Sequence, residues 1–141
     1  LHAAIPMTAG MGIHVIAHSE AATRVGAPLA PNHNHQESAF GGSLYSLAVV
    51  SAWSALTLWC HAQQIEAVNV IQSGEMHYHV PALGDLEAEC RLPGVEVMQR
   101  AQRMLARHGR TRLELMSQVW VERTLVAEFS GAFVLRRADG V

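Results

Sequence analysis

The 141-residue sequence has no lysine. All ten basic side chains are arginine, set against twelve acidic ones, for a formal net charge of −2. There is no basic field to hold a nucleic-acid backbone, so no nucleic-acid partner is expected. Arginine suits bidentate contacts with phosphate or carboxylate, but the ordinary reading of its exclusive use is codon preference. Charge of either sign is scarce: 16% of residues are charged and 50% are hydrophobic. Such a chain offsets its ordering entropy by burial, which rules out disorder as its main state. Its length suits one domain over residues 1–141. Cysteine is nearly absent. Cys60 and Cys90 are too few for a disulfide scaffold and lack CxxC spacing, so both read as reduced, semi-buried thiols of a cytoplasmic protein. Residues 1–12 carry no Lys or Arg ahead of an apolar run, unlike a secretory signal peptide. Internal repeats, low-complexity tracts and linker-like stretches are also missing.

What is present is an ordered series of apolar patterns. Ile5 to Met11 fits a short helical turn after Pro6. His14 to Leu29 reads as one strand or two halves, stopped by Pro28 and Pro31. A polar loop follows from Pro31 to Phe40, beside the most apolar segment of the chain. Gly42 to Gln64 reads as one helix. Ala67 to Tyr78 is a strand candidate with Val68, Val70, Gln72, Gly74 and Met76 on one face, and Pro81, Gly84 and Asp85 mark a turn after it. Leu86 to Leu92 alternates cleanly. Val95 to His108 is an amphipathic helix with Met98, Ala101 and Leu105 inward and Arg100, Arg103 and Arg107 outward, capped by Gly109. Thr111 to Glu122 and Thr124 to Leu135 alternate across a link short enough for a hairpin.

No charged residue lies between Ala39 and Cys60, a run of 22 residues. A helix of that length extends roughly 33 Å, and about 20 apolar residues can cross a bilayer. Here the run includes Gly41, Gly42, Ser43, Ser46, Ser51, Ser54 and Thr57, no basic cluster follows it, and the flanking strands are amphipathic. No membrane span is expected. A helix apolar all round and outside lipid has to be buried on most sides. The order of elements therefore predicts an α+β protein with an antiparallel sheet curled about one long helix.

These residues carry a resemblance. A polar loop, then Phe40-Gly41-Gly42, a long apolar helix and antiparallel strands resemble the hotdog fold of acyl-CoA thioesterases and dehydratases. The chain is most similar to the thioesterase family of the YiiD C-terminal domain, through Ala27-Pro28-Leu29-Ala30-Pro31-Asn32, Asn34-His35, Phe40-Gly41-Gly42-Ser43-Leu44-Tyr45 and Tyr78-His79-Val80-Pro81. The resemblance implies hydrolysis of acyl-CoA or acyl-carrier-protein thioesters and a homodimer or a tetramer built as a dimer of dimers. It implies no metal or other cofactor.

A helix N-terminus offers unpaired N–H groups and a partial positive charge, and glycine permits close approach to the backbone. Gly42 is thus a candidate for holding the oxyanion of an attacked thioester, through its own N–H or that of Ser43. Asn34 can orient water and His35 can act as general base near neutral pH. Glu37 is the only carboxylate in the loop. Asn32, Gly41, Ser43 and Ser73 are candidate substrate contacts, with Ser51 and Ser54 as further helix candidates. Tyr45, Trp53 and Trp59 read as core or dimer packing. His33-x-His35 and His77-x-His79 have the spacing of metal-ligand pairs only if each lies on a strand, and no native metal site is expected from them. The helix itself contains no acid, and Val49 stands about where some hotdog subfamilies carry one. Two alternatives therefore stay open: a 3-hydroxyacyl-thioester dehydratase using His35 with Glu37, and a non-catalytic acyl-thioester binding module.

Overall fold

The alternating segments form six strands, and the long apolar segment forms the helix they enclose. The computed structural model describes residues 1–138, so the end of the domain expected over 1–141 lies outside the described residues. In chain order the elements are α1 (Met7–Met11), β1 (His14–His18), β2 (Ala22–Ala27), a 3-10 turn (Ala30–Asn32), α2 (Gly41–Ala62), β3 (Ala67–Tyr78), β4 (Leu86–Arg91), α3 (Val95–His108), β5 (Arg110–Val121) and β6 (Thr124–Arg137). The strands make one antiparallel sheet in the order β1-β2-β4-β5-β6-β3.

The segment from His14 to Leu29 resolves as two strands. It reverses where the Ser19 hydroxyl accepts the Ala21 and Ala22 amides at 3.3 and 3.2 Å, a side-chain turn that competes with continued pairing. Pro28 then ends β2 by removing a donor. The α2 helix begins one residue earlier than the pattern predicts and ends two residues earlier. The α3 boundaries match the prediction. Gly109 takes φ 77° and its N–H closes on Leu105 O at 2.9 Å, the left-handed cap that glycine makes cheap.

The connection β2–α2–β3 carries the chain from one side of the sheet to the opposite edge. In crossing, α2 packs against β2, β3, β4, β5 and β6. Leu47, Ala48, Ala52 and Leu56 are fully buried on it, facing Leu86, Leu115, Phe129, Phe133 and Leu135 in the same core. Each buried leucine contributes roughly 1.5–3 kcal/mol. Although α2 is long and apolar enough to cross a bilayer by length and composition, 56% of its most apolar window is buried inside the molecule, as a core helix requires.

Ser51 and Ser54 belong to that buried side and not to a site, correcting their reading as helix candidates. Ser51 Oγ lies 2.7 Å from both Ala48 O and Ser117 Oγ. One hydroxyl proton cannot serve two acceptors, so Ser51 donates to Ala48 and accepts from Ser117.

β3 departs most from its predicted pattern. Its register against β6 shifts between Ile71 and Ser73, leaving Gln72 as the additional residue of a bulge. Before the bulge Asn69 faces α2, donating to Trp53 O and Thr57 Oγ1 at 3.1 Å each. After it, Gly74 faces α2, with Tyr45 and Phe129 where its side chain would stand. One inserted residue exchanges the faces. Val68 and Val70 consequently point outward and are exposed, whereas Gly74, Met76 and Tyr78 point towards the helix. The single face expected for Val68 through Met76 does not exist.

Candidate active site

The site is built where the loop of residues 33–39 enters the first turn of α2. Asn32 anchors the loop from below. Its side chain is 2% exposed and its Nδ2 donates to Met11 O and Pro28 O, both at 2.8 Å, while its carbonyl accepts the Phe40 N–H at 2.7 Å. Asn32 is therefore buried beneath the loop and is not a surface contact for a substrate. Its Oδ1 has no partner in the structure.

Asn34 closes the loop from within. Its Oδ1 accepts the Gln36 and Ser38 amides at 2.7 and 3.2 Å, and its Nδ2 donates to Ser38 Oγ at 3.0 Å. The Asn34 N–H donates to Ser38 O, and its carbonyl accepts the Glu37 N–H. This closure forces Glu37 into the left-handed region at φ 61°, a conformation costing about 1–2 kcal/mol for a residue with a side chain. His35 and Glu37 are both exposed on the tip. Among the described residues neither side chain has a hydrogen-bond or ion-pair partner, and they do not bond each other.

At the helix start, Phe40 is extended (φ −64°, ψ 135°) and provides no side-chain cap. The Ser43 and Leu44 amides both donate to Phe40 O, at 2.9 and 3.1 Å. That uses the Ser43 N–H, which the sequence offers as an oxyanion donor. The Gly41 and Gly42 N–H groups have no acceptor among the described residues. Gly42 is exposed, with the Phe40 ring lying against its Cα where a side chain would stand. No acid occupies the first turn or any later turn of α2, so the positive end of the dipole faces outward uncompensated.

Tyr78, which sequence reasoning left unassigned, closes the other side. Its hydroxyl donates to Gly41 O at 2.9 Å, and burial, then electrostatic repulsion with neighbouring Tyr45, push its pKa up. The signal for it was the inverted parity after Gln72, which hydrophobic alternation cannot reveal.

The remaining candidates lie elsewhere. Ser73 follows the bulge and precedes inward-facing Gly74, so it projects from the outer face of the sheet and does not join the loop. His77 and His79 pair with Glu75 and Glu128 at 3.7 and 3.0 Å, while His33 Nδ1 lies 2.9 Å from Asn34 O in the loop. The two HxH pairs do not converge. Among the described residues no group of three or more His, Cys, Asp or Glu is placed to hold a metal. A cleft of about 490 Å³ lies at the opposite end of α2, between Trp59, Leu92, Val95 and Met98, remote from the first turn. Trp53 and Trp59 pack partly buried against the core, and Trp53 Nε1 donates to Asn69 O at 3.0 Å.

A six-stranded antiparallel sheet folded over one central helix, with a glycine pair at the open helix start, defines a hotdog-fold protein. The chain belongs to the putative thioesterase family of the YiiD C-terminal domain, which matches residues 1–137. Solved structures agree. A protein of unknown function from Chlorobaculum tepidum is 27% identical, with a TM-score of 0.90 over 94% of this chain and 87% of that one. A putative thioesterase from Shewanella oneidensis is 25% identical, with a TM-score of 0.81 over 94% of this chain and 90% of that one. A Pseudomonas aeruginosa protein at 24% identity shares the fold, with a TM-score of 0.82 over 96% of this chain and 90% of that one.

Proposed function

We propose that this protein hydrolyses acyl-CoA or acyl-carrier-protein thioesters at the first turn of α2. The observation that carries the reading is the pair of Gly41 and Gly42 N–H groups that have no acceptor among the described residues, at an uncompensated helix N-terminus. Water attacks the thioester carbonyl carbon, and the carbonyl oxygen becomes an oxyanion held by those N–H groups. The intermediate collapses, the C–S bond breaks, and the sulfur leaves as a thiolate that takes up a proton. One such donor typically supplies about 2.7–4 kcal/mol of barrier lowering. His35 or Glu37 on the loop tip accepts the proton of the attacking water. Asn34, whose side chain is spent on closing the loop, holds that base in place.

The exposed first turn forms only one wall of a cleft, and a second copy of the chain supplies the other. Among the described residues β3 is a 12-residue edge strand with no neighbour on one side. Beside it α2 leaves a partly exposed stripe of Ser46, Val49, Trp53 and Thr57. Pairing of the two edges covers both features at once, and two such dimers can join as a tetramer. A cytoplasmic setting, where both thiols stay reduced, belongs to the same reading.

Release of free thiol from an acyl-CoA panel tests the proposal, using wild type, Asn34→Ala and His35→Ala. Turnover by wild type with a loss in Asn34→Ala is expected; turnover with both variants at full rate contradicts the site. The missing acid on α2 favours one other reading, an acyl-thioester binding module, which predicts CoA-derivative binding with no thiol released at any chain length. The dehydratase reading needs His35 and Glu37 acting as a pair, and the absence of any bond between them among the described residues gives it no support.

A further inference from the structure

The Gly41 carbonyl and the Gly42 N–H are the two ends of one peptide unit. A hydrogen bond received at the oxygen draws electron density through the amide and makes the N–H a stronger donor, the cooperative effect seen along hydrogen-bond chains. It also fixes the plane of the peptide, and so the direction in which the N–H points. Gly41 O receives such a bond from outside the helix, from Tyr78 Oη at 2.9 Å. The Tyr78 ring stands 3.5 Å from where a Gly41 side chain would begin, so the ring packs against Gly41 itself. Tyr78 is the last residue of β3, a separate element, and it faces α2 because the bulge at Gln72 reverses the strand's parity.

We propose that Tyr78 is a positioning residue that orients and strengthens the Gly42 N–H through the Gly41–Gly42 peptide. The inference rests on the hydrolase reading for its catalytic consequence and goes beyond it by assigning a strand residue to the helix-start donor. The role assigned to Tyr78 runs through its hydroxyl and the Gly41 carbonyl. A phenol with an ordinary pKa near 10 is protonated over the physiological range, and burial only raises that value, so the hydroxyl donates. With the cooperative share of a hydrogen bond at roughly 10–30%, a single-donor effect of about 2.7–4 kcal/mol makes loss of the Tyr78 hydroxyl cost about two- to eightfold in kcat.

The test is Tyr78→Phe, which removes one atom from a half-exposed side chain. The Gly42 amide proton resonance of the unliganded protein is expected to move upfield, and 3-fluorotyrosine at position 78, a stronger donor, moves it downfield. In the thioester assay kcat falls by the factor above while KM holds. Affinity for an acyl-CoA trifluoromethyl ketone, which presents an oxyanion, falls by the same factor; affinity for the matching thioether, which has no carbonyl, does not change. An unmoved Gly42 resonance overturns the proposal, and so does a joint change of kcat, KM and melting temperature, which marks a merely structural role. If wild type releases no thiol, the hydrolase reading falls separately, and the Gly42 resonance together with the analogue pair still decides the role of Tyr78.

Discussion

Glu37 concentrates the residue-scale tension of the site. It occupies a left-handed position on the loop tip while offering the only carboxylate of the loop that leads into α2. Replacing it with glycine relieves the backbone, so Glu37→Gly is expected to gain about 1 kcal/mol in denaturant unfolding. If Glu37 is the base, the same variant loses turnover; a stabilised variant at full rate assigns the proton transfer to His35. Asn34 is different in kind. Asn34→Ala removes two acceptor bonds and one donor bond inside the loop and is expected to cost about 1–3 kcal/mol locally. Hydrogen exchange should register this as faster exchange of the Gln36 and Ser38 amides, with the core strands unchanged.

At the scale of elements, α2 and β3 carry the argument together. Gly74 lets the Tyr45 hydroxyl and the Phe129 ring reach the β3 backbone, and any larger side chain there meets both. Gly74→Val is expected to destabilise by about 1–3 kcal/mol, measured by urea unfolding. Val49 lies between Tyr45 and Trp53 on the partly exposed side of α2. Val49→Arg is expected to leave circular dichroism intact and convert the protein to a monomer by light scattering, with loss of turnover; an unchanged dimer contradicts the proposed edge pairing. The helices were legible because their signals are strong and local: an uncharged run for α2, and a 3.6-residue period with a glycine stop for α3. β5 and β6 were legible from clean alternation. β3 misled because a bulge leaves no mark in composition, so the parity that brings Tyr78 to Gly41 and sends Ser73 outward required the register. Asn34 and Asn32 were legible as loop asparagines, but whether a side chain faces a ligand or its own backbone depends on hydrogen bonds that the sequence does not specify.

For the whole molecule, burial sets the pH behaviour. Cys60 and Cys90 are buried free thiols whose pKa values burial raises from 9.0 to about 11. A raised thiol pKa means that the folded state keeps protons which the unfolded chain releases above about pH 9. The stability contribution is therefore present below pH 9 and is lost as pH climbs towards 11. Unfolding free energy is expected to fall between about pH 9 and pH 11, with a shallower decline in Cys90→Ala, and native thiols should resist alkylation at pH 8 until the protein unfolds. Among the described residues the Gly41 and Gly42 N–H groups at the start of α2 stay without an acceptor, and the central claim rests there. Gly42→Ala tests it most directly. The added methyl pushes aside only the exposed Phe40 ring and favours the helix, so the melting temperature should hold or rise. Steady-state thiol release from acyl-CoA, compared with wild type, is expected to drop at least about tenfold as the methyl and the displaced ring obstruct the donors. Equal rates in the two proteins would contradict the account.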